Sequence, residues 1–205
     1  MSEQNPIQSS VDAFVEWAKA CLDEMAANAK VLGSSLDKLD ASVRAQAEQA
    51  IAQVNQWITE GQDKIKDVQA KGEASVAVAK ADIEAMWTRF QNESDKWVEL
   101  AQDQQATFQA RAQAQVRAWQ DVVDTYMRRL AEVHEQNKAQ AEAQVEQLKA
   151  DAQKAQADLK AKVDDLTKAG QTSWAAMSQT LDESRKSFAK AIEIAANRFN
   201  EAAKG

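Results

Sequence analysis

The sequence predicts an all-α protein built of long amphipathic helices, arranged as an elongated helical hairpin or bundle or as a coiled-coil-like assembly. Three observations lead there. Apolar residues recur along almost the whole chain in steps of three and four, with a mean of about 3.6, which places them on one face of a helix. No segment alternates with period two, the mark of a half-buried strand. Breaks are few, with one proline and five glycines in 205 residues. The pattern reads as a single elongated helical unit spanning residues 1–205.

The first helix is expected over residues 8–32. Val11, Phe14, Ala18, Leu22, Met25, Ala29 and Leu32 form its stripe, and Pro6 suits a first turn, where a missing N–H costs nothing. Gly33 reads as its end, and Ser34-x-x-Asp37 resembles a capping box that starts the next helix. That second helix is expected over 35–91, through Val43, Val54, Trp57, Ile65, Val68, Val76, Ile83, Met86 and Phe90. Gly61 and Gly72 fall in phase within its stripe. Each costs about 1 kcal/mol relative to alanine, so each marks a kink or a close approach. A straight helix of this span would extend roughly 85 Å.

Asn92 as a stop and Ser94 as a cap lead into a third helix over 95–169. It carries Trp97, Phe108, Ala112, Val116, Trp119, Val123 and Tyr126, then Val145, Leu148, Ala152, Ala155, Leu159 and Val163. Gly170, followed by Thr172 or Ser173, separates it from a fourth helix over 173–203 with Trp174, Leu181, Phe188, Ile192, Ala195 and Phe199. Leu148 to Leu159, Ala152 to Val163 and Ala155 to Leu166 are spaced by eleven. Such a repeat keeps a stripe nearly straight and does not favour a long left-handed coiled coil.

Hydrophobic residues make up 44% of the chain, but alanine supplies about half of them, and Leu, Ile, Val and Phe together reach only roughly 18%. A buried methyl is worth under about 1 kcal/mol, against about 1.5–3 for a leucine or phenylalanine. Helices of this kind are marginal alone, so contact with one another or with an external surface must complete their stability. Two arrangements follow: alanine seams that drive homo-oligomerisation, or helices lying on a foreign apolar interface. Six tryptophans carry most of the bulk, and a ring with one polar N–H suits a boundary between apolar and wet. Trp57, Trp87, Trp97, Trp119 and Trp174, with Phe188, Ile192 and Phe199, are the candidate interaction surface; core anchoring is the plainer alternative for the same residues.

No catalytic, cofactor-binding or metal-ligating constellation emerges, so the chain is expected to be non-enzymatic. The one histidine, His134, has Ala131 where a Glu-x-x-His motif needs a carboxylate, and no second histidine follows it at helical spacing. Cys21 stands alone and reads as a small buried hydrophobe. The net charge of -7 and a pI near 4.9 argue against a nucleic-acid partner. No basic and apolar leader is visible, and no run approaches the roughly 20 apolar residues that span a bilayer, so a cytoplasmic location is expected.

Taken together, the alanine- and glutamine-rich amphipathic helices and the closing stretch KSFAKAIEIAANRFNEAA (Lys186–Ala203) make the chain resemble the phasins, which coat polyhydroxyalkanoate granules. The resemblance implies an amphipathic coat that limits granule coalescence and recruits other granule proteins, with a polymer-granule or lipid surface as partner. Its tryptophans and very long middle helices depart from the family's usual texture. The rival expectation is a self-assembling scaffold or filament of coiled-coil type.

Overall fold

A computed structural model describes residues 6–34, 36–100, 104–133, 135–168 and 174–204. Six α-helices are described: α1 (Pro6–Gly33), α2 (Ala41–Lys71), α3 (Val76–Leu100), α4 (Gln104–Arg129), α5 (Glu135–Lys168) and α6 (Trp174–Lys204). Single turns of 3-10 helix occur at Leu36–Lys38, Glu73–Ser75 and Leu130–Glu132, and no strand occurs among the described residues. The all-α class expected from the periodicity is the class observed.

α1 organises the rest. Its stripe residues Val11, Phe14, Ala18, Leu22 and Met25 are buried, and so are Ala13, Val15, Trp17, Ala20 and Cys21 on its flanks. A helix that is apolar nearly all round belongs in the centre of a bundle. Accordingly α2, α3, α4 and α6 all pack against α1, while α5 packs on α6 and α4 instead. One core cluster joins Val54, Trp57 and Val68 of α2 to Ile83, Trp87 and Phe90 of α3. It continues through Trp119 and Tyr126 of α4, Val145 and Leu148 of α5, and Phe188 and Ile192 of α6. Phe108, Leu159 and Leu181 form a smaller one. The contact that lone alanine-rich helices lack is thus supplied within the chain, by aromatic rings each worth about 1.5–3 kcal/mol on burial.

The expected helix over 35–91 is two helices. α2 ends at Lys71, and Gly72 takes φ 79° and ψ −163°, a conformation essentially restricted to glycine. The Gly72 N–H donates to the Val68 carbonyl at 2.8 Å, and Ser75 Oγ donates to the Gly72 carbonyl at 2.7 Å. Lys64 and Asp82, at similar distances in sequence either side of the turn, pair with each other, so α2 and α3 form an antiparallel hairpin. Folding back lets Ile65 and Val68 share a core with Ala79 and Ile83; a straight rod would leave that stripe without a partner. The start is also later than expected. Ser34 Oγ donates to the Val31 carbonyl at 2.7 Å, finishing α1, and Asp40 stands in extended backbone before α2.

The expected helix over 95–169 is likewise divided. α3 runs through the expected stop to Leu100, and Ser94 is fully buried inside it, so it caps nothing. α4 closes in the turn at Leu130–Glu132, and extended backbone at Val133 (ψ 134°) separates it from α5. Neither glycine nor proline marks that break. α4 and α5 then run antiparallel, with Val123 beside Ala152 and Ala112 beside Val163. α6 falls within a residue of the expected 173–203; Gly170, Thr172 and Ser173 lie outside the described residues.

Gly61 shows why glycine interrupts the α2 stripe. A Cβ there would meet Leu22 Cδ2 at 2.5 Å, Cδ1 at 3.0 Å and Cγ at 3.3 Å. The missing side chain lets α2 close on α1. Gly61→Ala should therefore destabilise the chain by about 1 kcal/mol, overpacking exceeding the gain in helix propensity. In a Leu22→Ala background, where the space is open, the same change should stabilise. Urea denaturation of the four variants in the cycle checks the reversal of sign.

Candidate functional site: a polar layer inside the bundle

Where α1, α3, α4 and α6 meet, the core is interrupted by charge. Glu24 of α1 is 4% exposed, and its Oε1 accepts no hydrogen bond. Arg185 and Asp182 of α6 and Arg111 of α4 face it, as does the Trp119 ring. The Arg185 guanidinium lies 4.4 Å from the centre of the Trp87 ring of α3, a cation–π contact in a dry setting. Its Nε is 3.6 Å from Asp182 Oδ1, and Lys186 Nζ holds the other oxygen of that carboxylate. Arg111 Nη1 reaches Asp95 Oδ1 of α3 at 3.4 Å. Gln115 Nε2 donates to the Leu181 carbonyl at 3.1 Å, tying α4 to α6, and Asn28 Nδ2 donates to the Glu24 carbonyl at 2.8 Å.

The charges in this layer are shared unevenly. Asp182 has both Arg185 and Lys186, Asp95 has Arg111, and Glu24 has only a share in the two guanidiniums. Burial pushes its carboxyl up to about 8, with Arg185 acting in the opposite sense. Asp182 behaves otherwise: burial alone would raise it, but bonds from Lys186 and Gln91 hold it below the usual carboxylate range. Beside them Cys21 is pushed up to about 12 by burial, so the thiol stays protonated and enclosed. Trp87 Nε1, Ser94 Oγ and Arg111 Nε are buried without hydrogen-bond partners. Each such group costs about 1–3 kcal/mol. The layer specifies which helices meet, and it weakens the closed state in doing so.

The Cys21 thiol lies near Glu24, Glu84 and Arg185, and among the described residues no group of three His, Cys, Asp or Glu could hold a metal ion. His134 lies outside the described residues. No helix among the described residues is long and apolar enough to cross a membrane.

Five of the eight residues of the expected interaction surface lie inside the closed bundle. Trp57, Trp87, Trp119, Phe188 and Ile192 are buried in the core. They join α1 in one core cluster, where a chain poor in aliphatics gains the bulk of its packing. The Trp119 and Phe188 rings meet at 4.9 Å between centroids, and Trp87 meets Phe90 at 5.2 Å. The side chains of Trp97, Trp174 and Phe199 lie outside the described residues. Among the described residues the large apolar side chains that are exposed, Val78, Met127 and Ile194, are not among those the stripe marks out. A shallow groove of about 410 Å³ runs between α4 and α5, floored by Ala112, Val116, Leu159 and Val163 and walled by glutamines.

Sequence reasoning misses the polar layer, although a trace of it is present. The stripe of α6 jumps from Leu181 to Phe188, and Ser184 and Arg185 occupy the missing step. Arg111 stands one turn after Phe108 on the same face. Glu24 leaves no such trace, because it lies on a flank of α1 that a single stripe passes over.

The fold is a bundle wrapped around a central helix, with an internal ionic layer. Comparison with protein-family models, with curated proteins and with solved structures finds no match.

Two ion pairs give contrasting expectations. Arg185→Ala should cost about 3 kcal/mol, because it takes the main positive charge away from buried Glu24 and uncovers the Trp87 face. Lys80→Ala, which removes a half-exposed pair with Glu193, should cost under about 1 kcal/mol. Chemical denaturation of both variants measures the difference.

Proposed function

We propose that this chain is a non-enzymatic, phasin-like coat protein whose bundle opens and lays its amphipathic helices on an apolar surface, a polyester granule or a lipid interface. One observation carries the reading. The apolar stripe keeps helical phase across Gly72, from Val54 through Val68 to Val76, Ile83 and Phe90, although the chain is folded back there. Folded, those residues face α1. Straightened, they form one uninterrupted greasy edge with Glu, Asp, Lys and Gln on the opposite side, the design of a helix lying in an interface.

Two further features support it. The polar layer lowers the cost of parting α1 from α4 and α6. The large rings in the core, Trp57, Trp87, Trp119 and Phe188, are side chains that an apolar surface can accept in exchange. A coat of this kind belongs at the granule surface in the cytoplasm.

The test mixes the protein with polyester particles or a triglyceride emulsion and follows sedimentation together with thiol labelling at Cys21. Binding should make the buried thiol accessible while helicity changes little, since the closed bundle is already helical. Gly72→Ala should bind more tightly. It strains the closed turn by about 1–3 kcal/mol and suits a continuous helix. A protein that stays in the supernatant, with Cys21 protected, contradicts the reading. Concentration-dependent assembly without any particle would instead favour the scaffold expectation.

A further inference from the structure

Glu24 is an acid that shares its basic neighbours, Arg185 and Arg111, with other carboxylates. The groups facing it come from each helix that closes over it: Arg185 and Asp182 from α6, Arg111 from α4, and from α3 Asp95 behind Arg111 and Glu84 beside Cys21. α2 meets α1 on the side of Leu22 and Gly61. Asp23, next in the chain, is half-buried; burial raises its carboxyl, and Asp121 of α4 adds to the rise. Lys186, on the exposed side of α6, also holds Asp182. With Glu24 ionised, a 4% exposed carboxylate is enclosed with Oε1 accepting no hydrogen bond, and the guanidiniums near it, Arg185 and Arg111, are each shared with another carboxylate. Burying such a charge is costly unless it is paired and bonded.

We infer that Glu24 is a proton-controlled latch: protonated, it lets α1 seat against α4 and α6, and loss of its proton loosens that seam and frees the bundle to open. The inference rests on the proposed coating role only for what opening accomplishes, because the latch itself is a property of the free chain.

The direction follows from linkage. A carboxyl held higher in the folded than in the unfolded chain contributes stability in acid. That contribution declines as pH rises from the ordinary value of 4.5 toward about 8 and is gone above it. Acid therefore locks the bundle, and neutral to alkaline conditions release it.

The deciding experiment is urea unfolding of the dilute full chain between about pH 6 and pH 9, for the wild type, Glu24→Gln and Glu24→Leu. The wild-type folded-to-unfolded ratio should fall by up to about tenfold per pH unit, the limit for one proton, and neither variant should show that fall. Cys21 labelling should accelerate with pH more in the wild type than in Glu24→Gln. Variants that lose stability as steeply as the wild type overturn the latch, and so does a wild type whose stability is level across the range.

A parallel arm with triglyceride emulsion separates the two proposals. Failure to bind at any pH sinks the coating role while the urea series still judges the latch. Binding that is equally fast in acid and alkali, with Glu24→Gln as pH-dependent as the wild type, sinks the latch and leaves the coating role standing.

Discussion

The seating of α1 at the centre of the bundle is the constraint on which the other helices depend. A chain with so much alanine gains little from each buried methyl, so it must bring helix axes close together and place a few large rings where they count. α1 meets both needs. It is apolar on more than one face, so several helices can bury a stripe against it at once. Gly61 lets α2 close onto Leu22. Phe14, Trp17, Trp57, Trp87 and Trp119 supply the volume that alanines cannot. Remove the central helix and each surrounding helix faces water with a thin, alanine-rich edge.

The same design limits how firmly the bundle is shut. An internal layer of Glu24, Arg111, Arg185 and their partners fixes which helices meet, because wrong pairings would strand a buried charge. It also leaves several polar atoms without hydrogen bonds, which an all-apolar core would avoid. Gly72 adds a second compromise. Its positive φ folds the α2–α3 stripe back on the core, yet the stripe remains in phase for a single long helix. A molecule needed only as a rigid block has no use for a seam that is costly to close and a turn that can straighten. A molecule that alternates between closed in water and open on an apolar surface has use for both.

Much of this is legible in the sequence, and the parts that are not share a cause. The helical class, the end of α1 near Gly33 and the extent of α6 all follow from local periodicity and capping residues. Local patterns cannot report folding back when the stripe continues through the turn. The hairpin at Gly72 and the break at Val133 therefore look like continuous helix, although glycine marks Gly72 as a place of kinking or close approach. Ser94 looks like a cap because serine favours caps, whereas tertiary packing buries it mid-helix. Trp17, Trp57, Trp87 and Trp119, conspicuous in the sequence for their bulk, are buried in the core. The inward side of α1 is wider than one stripe, with Trp17 and Cys21 on a flank that tracing a single stripe passes over. Glu24 belongs to that flank.

Hydrogen exchange of the dilute, unliganded chain tests the central role of α1 most directly. If the bundle is built around that helix, its amides from about Val11 to Ala29 open only with global unfolding and exchange slowest of all, while α5, packed on the outside, exchanges faster. Exchange in α1 as rapid as in α5 would mean that the chain does not close around its first helix, and a bundle with α1 at its centre would be ruled out.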